Sequence, residues 1–545
     1  MKIRKLLFNR TTMMLVTILG EGLLIYALLH WLGGVAGWIA GVLRLIGILI
    51  VLNIVRTSRH LAADLMWIFL ILLFPVFGTG FYLFLGANIL TSKSIWRFWG
   101  AEKDSKKYYH EADDEELIRR ACEDFPAASG QIHYLTGHAG FPVYENNENG
   151  FDYYPLGDDG FPVILEELKK AQKFIFLEYF IIARGQMWDR MHEILKQKAA
   201  EGLDVRVLYD DMGSFSTLPM SYAKTLQAEG IRCIPFNRIS PVLGAIMNHR
   251  DHRKILVIDG KTAFSGGINL ADEYINAIVR FGHWKDNVIR VRGAAVWSYT
   301  VMFLTNWQAL SNEEEDFTQF KVLPEEPVSS AAAENPVSSA VSENPVSSAL
   351  AESKKASGEN PEARDGYIIP YSDMPLDEDH VGQDVYMNIL NEAKDYCYIM
   401  TPYLILDNEF VNALGLAAAR GVDVRIITPG IPDKKMVFGV TRSFYEALTK
   451  QGVRIYEYTP GFVHAKVFVS DDRAATVGTI NLDYRSLYLH FENGTCLIGS
   501  EKVLDVKRDV IETLEKSKEI SAKEAKFDFF FNVKYGLIRI FAGQL

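Results

Sequence analysis

Apolar and polar positions divide the 545-residue chain into regimes of different period. Residues 12–31, 33–55 and 61–88 are long apolar stretches, and each predicts a helix able to cross a hydrocarbon core, which takes about 20 residues. Three such stretches in succession leave almost no polar face for water, so buried core helices explain them poorly. A cleaved signal peptide explains them no better. The apolar block runs far past a signal core, and no small-residue cleavage site follows the first stretch. Beyond a connector at 93–132 the period changes. Short apolar runs alternate with amphipathic helical segments, as a domain built on a central sheet requires.

That alternating pattern occurs twice, over 133–320 and again over 367–510. "EGLDVRVLYD" from Glu201 answers "RGVDVRIITP" from Arg420, and "EGIRCIPFN" from Glu229 answers "QGVRIYEYT" from Gln451. Each predicts a helix end, a turning glycine and a strand rich in β-branched residues, so the order of elements is duplicated along with the composition. Between the halves, at 321–366, Pro327, Pro336 and Pro345 recur in ENPVSSA-like repeats with too few large apolar residues to offset the entropy of ordering. A flexible tether is expected there, and removal of 330–360 is expected to leave activity nearly intact. Residues 511–545 form a tail with Phe527, Phe529, Phe530, Phe531 and Tyr535 among Lys526, Lys534 and Arg539. It fits either an amphipathic interfacial anchor or a helix packed on the preceding domain.

Charge orients the leader. Lys2, Arg4, Lys5 and Arg10 precede the first stretch, Arg56 and Arg59 follow the second, and the turn at 32–34 is uncharged. The first two stretches therefore form a hairpin with both ends in the cytoplasm. Glu21 and Arg44, equally deep on either side of that turn, are expected to pair as ions. The third stretch holds Pro75, Gly78 and Gly80 and is followed by Lys93, Arg97, Lys103, Lys106 and Lys107. Either it is broken and re-entrant, keeping the catalytic part inside, or the charge rule gives way to the length of the following domain. The net charge of -11 argues against a protein that binds nucleic acid through a broad basic field. Cys122, Cys233, Cys397 and Cys496 are far apart, without zinc-ligand spacing, and read as reduced, buried and structural.

The chemistry concentrates in one motif found twice. "DHRKILVIDGKTAFSGGIN" supplies His252, Lys254, Asp259, Gly266 and Asn269; "VHAKVFVSDDRAATVGTIN" supplies His464, Lys466, Asp471, Gly478 and Asn481. Both obey H-x-K-x4-D-x6-G-x-x-N. Two apart at the start of a strand, His and Lys project to one face and meet a common ligand. An ammonium suits a phosphate oxygen, and an Asn amide can donate to another. Two such sets supply one imidazole to attack phosphorus and one to protonate the departing alkoxide, with two lysines and two asparagines spreading the charge without a metal. Asp259 and Asp471, at strand ends beside turns, fit an orienting or structural role rather than proton transfer.

Paired H-x-K-x4-D motifs make the chain similar to the phospholipase D superfamily. "NHRDHRKILVIDG", "FSGGINLADEY", "FGHWKDNVIRVRGAAV", "TPYLILDNEF" and "GTINLDYRSLYLHFEN", with the leader's "FPVFGTGFYLFLG", resemble its bacterial cardiolipin synthase branch. The resemblance spans nearly the whole chain, fails at the Pro/Ser linker and is loose at the C-terminal tail.

It implies a bilobal α/β fold, two α/β/α halves related by a pseudo-two-fold, preceded by a transmembrane helical region at 1–92. It also implies ping-pong transfer between two phosphatidylglycerol molecules, with no cofactor and no metal, in the bacterial cytoplasmic membrane. His252 is the implied nucleophile and His464 the general acid, then base, although the two could exchange roles. Glu178, Tyr179, Tyr403 and Glu492 match positions near the pocket. A tether to the membrane agrees independently with lipid substrates. A membrane-bound hydrolase shares these motifs, as does a transferase with another donor or acceptor. Two complete motifs disfavour an inactive scaffold, and the acidic balance disfavours a nuclease.

Overall fold

The computed structural model describes residues 26, 36–57, 61–83, 92–110, 114–146, 150–238, 249–311, 313–322, 366–377 and 379–541. The first apolar stretch with Glu21, and the Pro327, Pro336 and Pro345 repeats, lie outside the described residues.

Two sheets carry the catalytic part. The first has seven strands in the order Phe151–Tyr154, Val288–Arg292, Thr262–Gly266, Lys254–Ile258, Phe174–Tyr179, Asp204–Asp210, Arg232–Phe236. The second repeats that order with Tyr367–Asp373, His490–Ile498, Ala474–Gly478, Val467–Ser470, Tyr396–Met400, Asp423–Pro429 and Arg454–Tyr458. Directions repeat as well: in each, the last three strands are parallel and the others antiparallel. The duplicated sequence thus folds as a duplicated sheet. The turning glycines of the repeat, Gly202 with Gly421 and Gly230 with Gly452, all have φ between +85° and +96°, which suits residues without a Cβ.

The second sheet also gains a strand from outside its half. Tyr144–Glu145 pairs antiparallel with Tyr367–Asp373. One continuous core joins the halves, running from Phe125 and Ile132 through Phe303 and Trp307 to Ile399 and Val510. The helix Val296–Ser311 lies at its centre with its side chains almost wholly buried. The connector helix Ser92–His110 packs along it, where Tyr108 stacks on Phe317.

In the leader, Ala36–Thr57 packs against a hairpin made by Leu61–Leu73 and Pro75–Phe81. The third apolar stretch is therefore broken, as one of its two readings expects. At Phe74 (φ -127°, ψ 72°) the chain reverses. Trp67 then meets Tyr82 edge to face at 5.5 Å, and a Cβ on Gly78 would lie 2.2 Å from the Leu70 carbonyl oxygen. Only glycine permits that approach. Among the described residues no helix is long and apolar enough to cross a membrane. The tail helix Phe529–Arg539 packs on the preceding domain, one of the two expectations for it. Arg539 lies 3.8 Å over the Phe444 ring and Phe541 touches Phe69 of the leader, while Phe529 and Phe530 stay exposed. All four cysteines are free; Cys122 departs from the expected burial, being half-exposed with Sγ 3.6 Å from His133 Nε2.

Candidate active site

An exchange of strands positions the two histidines. Arg250–Asp251 leads into His252 and runs parallel to the start of His490–Ile498 in the other half. Gly461–Val463 leads into His464 and runs parallel to His283–Lys285 of the first half. The His252 N–H donates to the Phe491 carbonyl at 2.9 Å, and the His464 N–H to that of Lys285 at 2.7 Å. Each ring is built by one half and fastened to the other.

The next residue on each receiving strand is a carboxylate. Glu492 accepts from His252 Nδ1 at 2.9 Å, and Asp286 from His464 Nδ1 at 2.6 Å. A carboxylate only accepts, so the proton sits on Nδ1 and Nε2 is left as the basic, nucleophilic nitrogen. Thr479 Oγ1 donates to the far oxygen of Glu492. Gly267 leaves room for Asp286, whose Oδ1 would lie 1.8 Å from a Cβ there. The lysines close the set. Lys254 Nζ donates to the His252 carbonyl at 2.6 Å; Lys466 Nζ donates to the His464 carbonyl and lies 2.9 Å from His464 Nδ1.

Burial is the main force on these charges. It lowers His252 well below the ordinary imidazole value, and the Lys254, Lys466 and His464 charges lower it further. His464 is pushed down to about 4 by burial and by Lys466, against the pull of Asp286. Burial brings Lys254 down to about 8 and Lys466 to about 7. Glu492 and Asp286 act against this lowering and favour the ammonium form of both lysines. Each set's charges act on the other's ring.

The remaining candidates divide. Asp259 accepts from the backbone N–H of Gln172, Lys173 and Phe174 at 2.7–2.9 Å, and Asp471 from those of Lys394, Asp395 and Tyr396 at 2.8–3.0 Å. Both sit at positive φ of 53° and fasten the turn that leads into the first of the three parallel strands of their own half, Phe174–Tyr179 and Tyr396–Met400. They are structural, as the turn context suggests, and they do not meet the histidines. Asn269 donates to Tyr274 Oη at 2.8 Å and accepts from the Ile181 N–H at 3.1 Å. Asn481 bonds Asp483.

Glu178 projects from the sheet face opposite Lys254, where Asn306 donates to it at 2.6 Å. Burial raises it, against the pull of Arg253, and burial and the Glu178 charge raise Asp251 beside it. Tyr179 packs in the first half's core. Tyr403 donates to Asp433 at 2.6 Å and reaches Phe462, which flanks His464.

Asp286 escaped the sequence reading although a signal for it exists. The doublet Asp286-Asn287 follows the first motif as Glu492-Asn493 follows the second. Each asparagine clamps the other strands: Asn287 Oδ1 accepts from the Gly267 N–H at 3.1 Å, and Asn493 Oδ1 from that of Lys254 at 3.3 Å. As a possible metal group, His252, His490 and Glu492 offer ligand atoms within 4.8 Å of one another. Hydrogen bonding accounts for them otherwise. Arg485 Nε donates to His490 Nε2 at 3.2 Å, which leaves the His490 proton on Nδ1, facing Glu492 instead of offering a lone pair.

The profile of a family described as "Cardiolipin synthase, PLD-like domain" matches residues 164–279 and 386–514, one segment around each motif. A cardiolipin synthase of Halalkalibacterium halodurans is 30% identical over 501 residues, covering 90% of this chain and 90% of that one. The chain belongs to the cardiolipin synthase family. Within it, cardiolipin synthase 2 of Bacillus anthracis is 32% identical over 475 residues (85% of this chain, 83% of the other). An uncharacterized protein of Streptococcus mutans is 43% identical over 478 residues (86% and 94%). The crystal structure of phosphatidylserine synthase from Haemophilus influenzae superposes with a TM-score of 0.53 at 14% identity, covering 76% of this chain and 98% of that one. At that identity the likeness is one of fold, the bilobal α/β frame.

Proposed function

We propose that this cardiolipin synthase family member transfers a phosphatidyl group from one phosphatidylglycerol to another, giving cardiolipin and glycerol. The observation that carries the reading is the pair of cross-braced imidazoles, each with its lysine, in a chain related along nearly its whole length to cardiolipin synthases. Lys254 and Lys466 bind the donor's phosphodiester. In the order implied by the resemblance, His464 enters the step as the imidazolium, protonated on Nε2 as well as Nδ1 beside Asp286; His252 Nε2 forms a bond to phosphorus while the bond to the glycerol oxygen breaks, and His464 Nε2 gives that oxygen its proton. The hydroxyl of a second phosphatidylglycerol then loses its proton to His464, its oxygen bonds to phosphorus, and His252 leaves. Asp286 and Glu492 keep each ring in its working tautomer and steady its positive charge.

The leader supports a membrane setting for this chemistry. Val42, Leu45, Ile48, Leu49, Leu52 and Val55 of Ala36–Thr57 are exposed, which suits a lipid surround. With the stretch at 12–31 they make a multi-pass anchor, and the basic flanks favour the cytoplasmic side for the two lobes, 133–320 and 367–510. Purified full-length protein given phosphatidylglycerol should accumulate cardiolipin and glycerol in equal amounts, with neither product in His252→Ala or His464→Ala. Phosphatidic acid as the main product would make it a hydrolase and end the proposal.

A further inference from the structure

The two halves differ in length beside one histidine. Asn481 precedes its half's carboxylate, Glu492, by 11 residues, whereas Asn269 precedes Asp286 by 17. The added residues fall where the short helix Asp272–Ile275 ends on a left-handed Asn276 (φ 50°) and the chain runs on to His283. Asn276 closes this loop: its amide donates to the Trp284 carbonyl at 3.1 Å, and its side-chain oxygen accepts from the Trp284 N–H at 2.8 Å. Within it Ile278 and Val279 are 47% and 83% exposed. The corresponding segment of the second half, 482–489, is buried or half-buried throughout.

A loop of the second half meets this one. A Cβ on Gly282 would lie 3.0 Å from Ile431 Cδ1, and Ile431 and Met436 are 41% and 52% exposed. Both loops are fastened to the segment that leads into His464: the Ile431 N–H donates to the Gly461 carbonyl at 3.1 Å, and the His283 N–H to that of Pro460 at 2.9 Å. Cations accompany the aliphatic side chains. Lys434 lies 5.6 Å from the centre of the Tyr403 ring, and among the described residues neither it nor Lys435 is paired with a carboxylate. The two acids nearby are engaged, Glu273 by Arg280 and Asp433 by the Tyr403 hydroxyl. From here Lys435–Arg442 packs against the tail helix, with Gly439 on Tyr535, and the tail runs on to Phe541, which touches Phe69 of the leader. Exposed aliphatic residues scattered singly need no explanation. Four on two touching loops, with lysines between them and a continuous path to the leader, fit a surface that is apolar within and anionic outside.

We propose that residues 276–282 and 430–436 form a rim that enters the face of an anionic phospholipid bilayer beside His464. The inference rests on the transfer reading above, in which the accepting hydroxyl enters on the His464 side. That hydroxyl belongs to a lipid whose acyl chains stay in hydrocarbon, so the bilayer surface has to come up to this side of the site. Ile278, Val279, Ile431 and Met436 leave water for the acyl boundary, while Lys434 and Lys435 stay level with the lipid phosphates. The longer loop of the first half thus brings the membrane to the ring that handles the hydroxyl proton.

The test measures depth in the full-length enzyme reconstituted into phosphatidylcholine vesicles with and without phosphatidylglycerol. Cys122→Ser removes the half-exposed thiol, the other three cysteines being buried. A nitroxide is then attached at Val279→Cys or, as a reference, at Lys169→Cys, an exposed position just before the start of Phe174–Tyr179. The label at 279 should be shielded from an aqueous nickel chelate and open to oxygen, and the label at 169 the reverse. Shielding at 279 should be greater with phosphatidylglycerol, and Lys434→Gln combined with Lys435→Gln should abolish that difference. Val279→Asp combined with Met436→Asp should lower cardiolipin formation from vesicle phosphatidylglycerol about tenfold more than from monomeric dihexanoyl-phosphatidylglycerol. Equal access of the chelate to both labels overturns the proposal, as does an equal loss on both substrates. Spin–spin broadening at 279 would place a second copy of the chain there and overturns it too. Wild-type enzyme that makes no cardiolipin from either substrate refutes the transfer reading instead, and the depth of the 279 label, which needs no turnover, still decides for or against the rim.

Discussion

Nδ1 of His252, in the first half of the chain, lies 2.9 Å from a carboxylate oxygen of Glu492 in the second. His464 and Asp286 repeat the relationship in reverse at 2.6 Å. Neither lobe holds a complete catalytic group. Glu492→Gln and Asp286→Asn preserve volume but allow the wrong ring nitrogen to carry the proton. Each should lower kcat by roughly 10²–10⁴ with thermal unfolding near wild type. A loss below about fivefold in both would show that the rings orient without them.

Asp259 and Asp471 should behave in the opposite way. Asp259→Ala deprives three backbone N–H groups of their acceptor and should cost about 3 kcal/mol of stability, read from denaturant unfolding of the solubilised enzyme. Activity per folded molecule should stay within about fivefold of wild type. A fall in kcat of catalytic size at unchanged stability would return this residue to the chemistry.

The lysines predict an alkaline limb. Lys254 and Lys466 are brought down to about 8 and 7, so their ammonium forms dominate below those values and fade above them. For the free enzyme, kcat/KM should therefore fall as pH rises through 7 to 8. A bound phosphodiester favours the charged forms, so the fall in kcat should come at higher pH. Coincident limbs, or a kcat/KM flat to pH 9, would contradict the assignment.

A pair of glycines tests the leader hairpin. Gly78→Val drives a side chain into the Leu70 backbone, whereas a Cβ at Gly80 meets nothing within 4 Å. Gly78→Val should lower the thermal midpoint and the yield of inserted enzyme, and Gly80→Val should be tolerated. Equal tolerance at both positions would mean that the close approach at Leu70 is dispensable.

The duplicated sheet was legible because turning glycines and β-branched runs recur in the same order, and local chemistry fixes both. His252, Lys254, His464 and Lys466 were legible because their spacing is that of a strand. Asp286 was not, since its partner lies 178 residues away and sequence spacing says nothing of a strand exchanged between lobes. The partners of the asparagines were hidden for a related reason. Asn269 donates to Tyr274 and Asn481 bonds Asp483, contacts that the motif spacing does not show. Tyr144–Glu145 joining the second sheet is likewise a long-range pairing that periodicity does not encode.

The reversal at Phe74 also bears on which way the enzyme faces. Its two legs, 13 and 7 residues, reach about 20 Å and 10 Å, short of a hydrocarbon core about 30 Å thick. A chain that dips in and turns back surfaces where it entered. Under the proposed membrane anchor, Arg56 and the basic run from Lys93 to Lys107 would share one leaflet, which would remove the conflict between the third stretch and the positive charges that flank it.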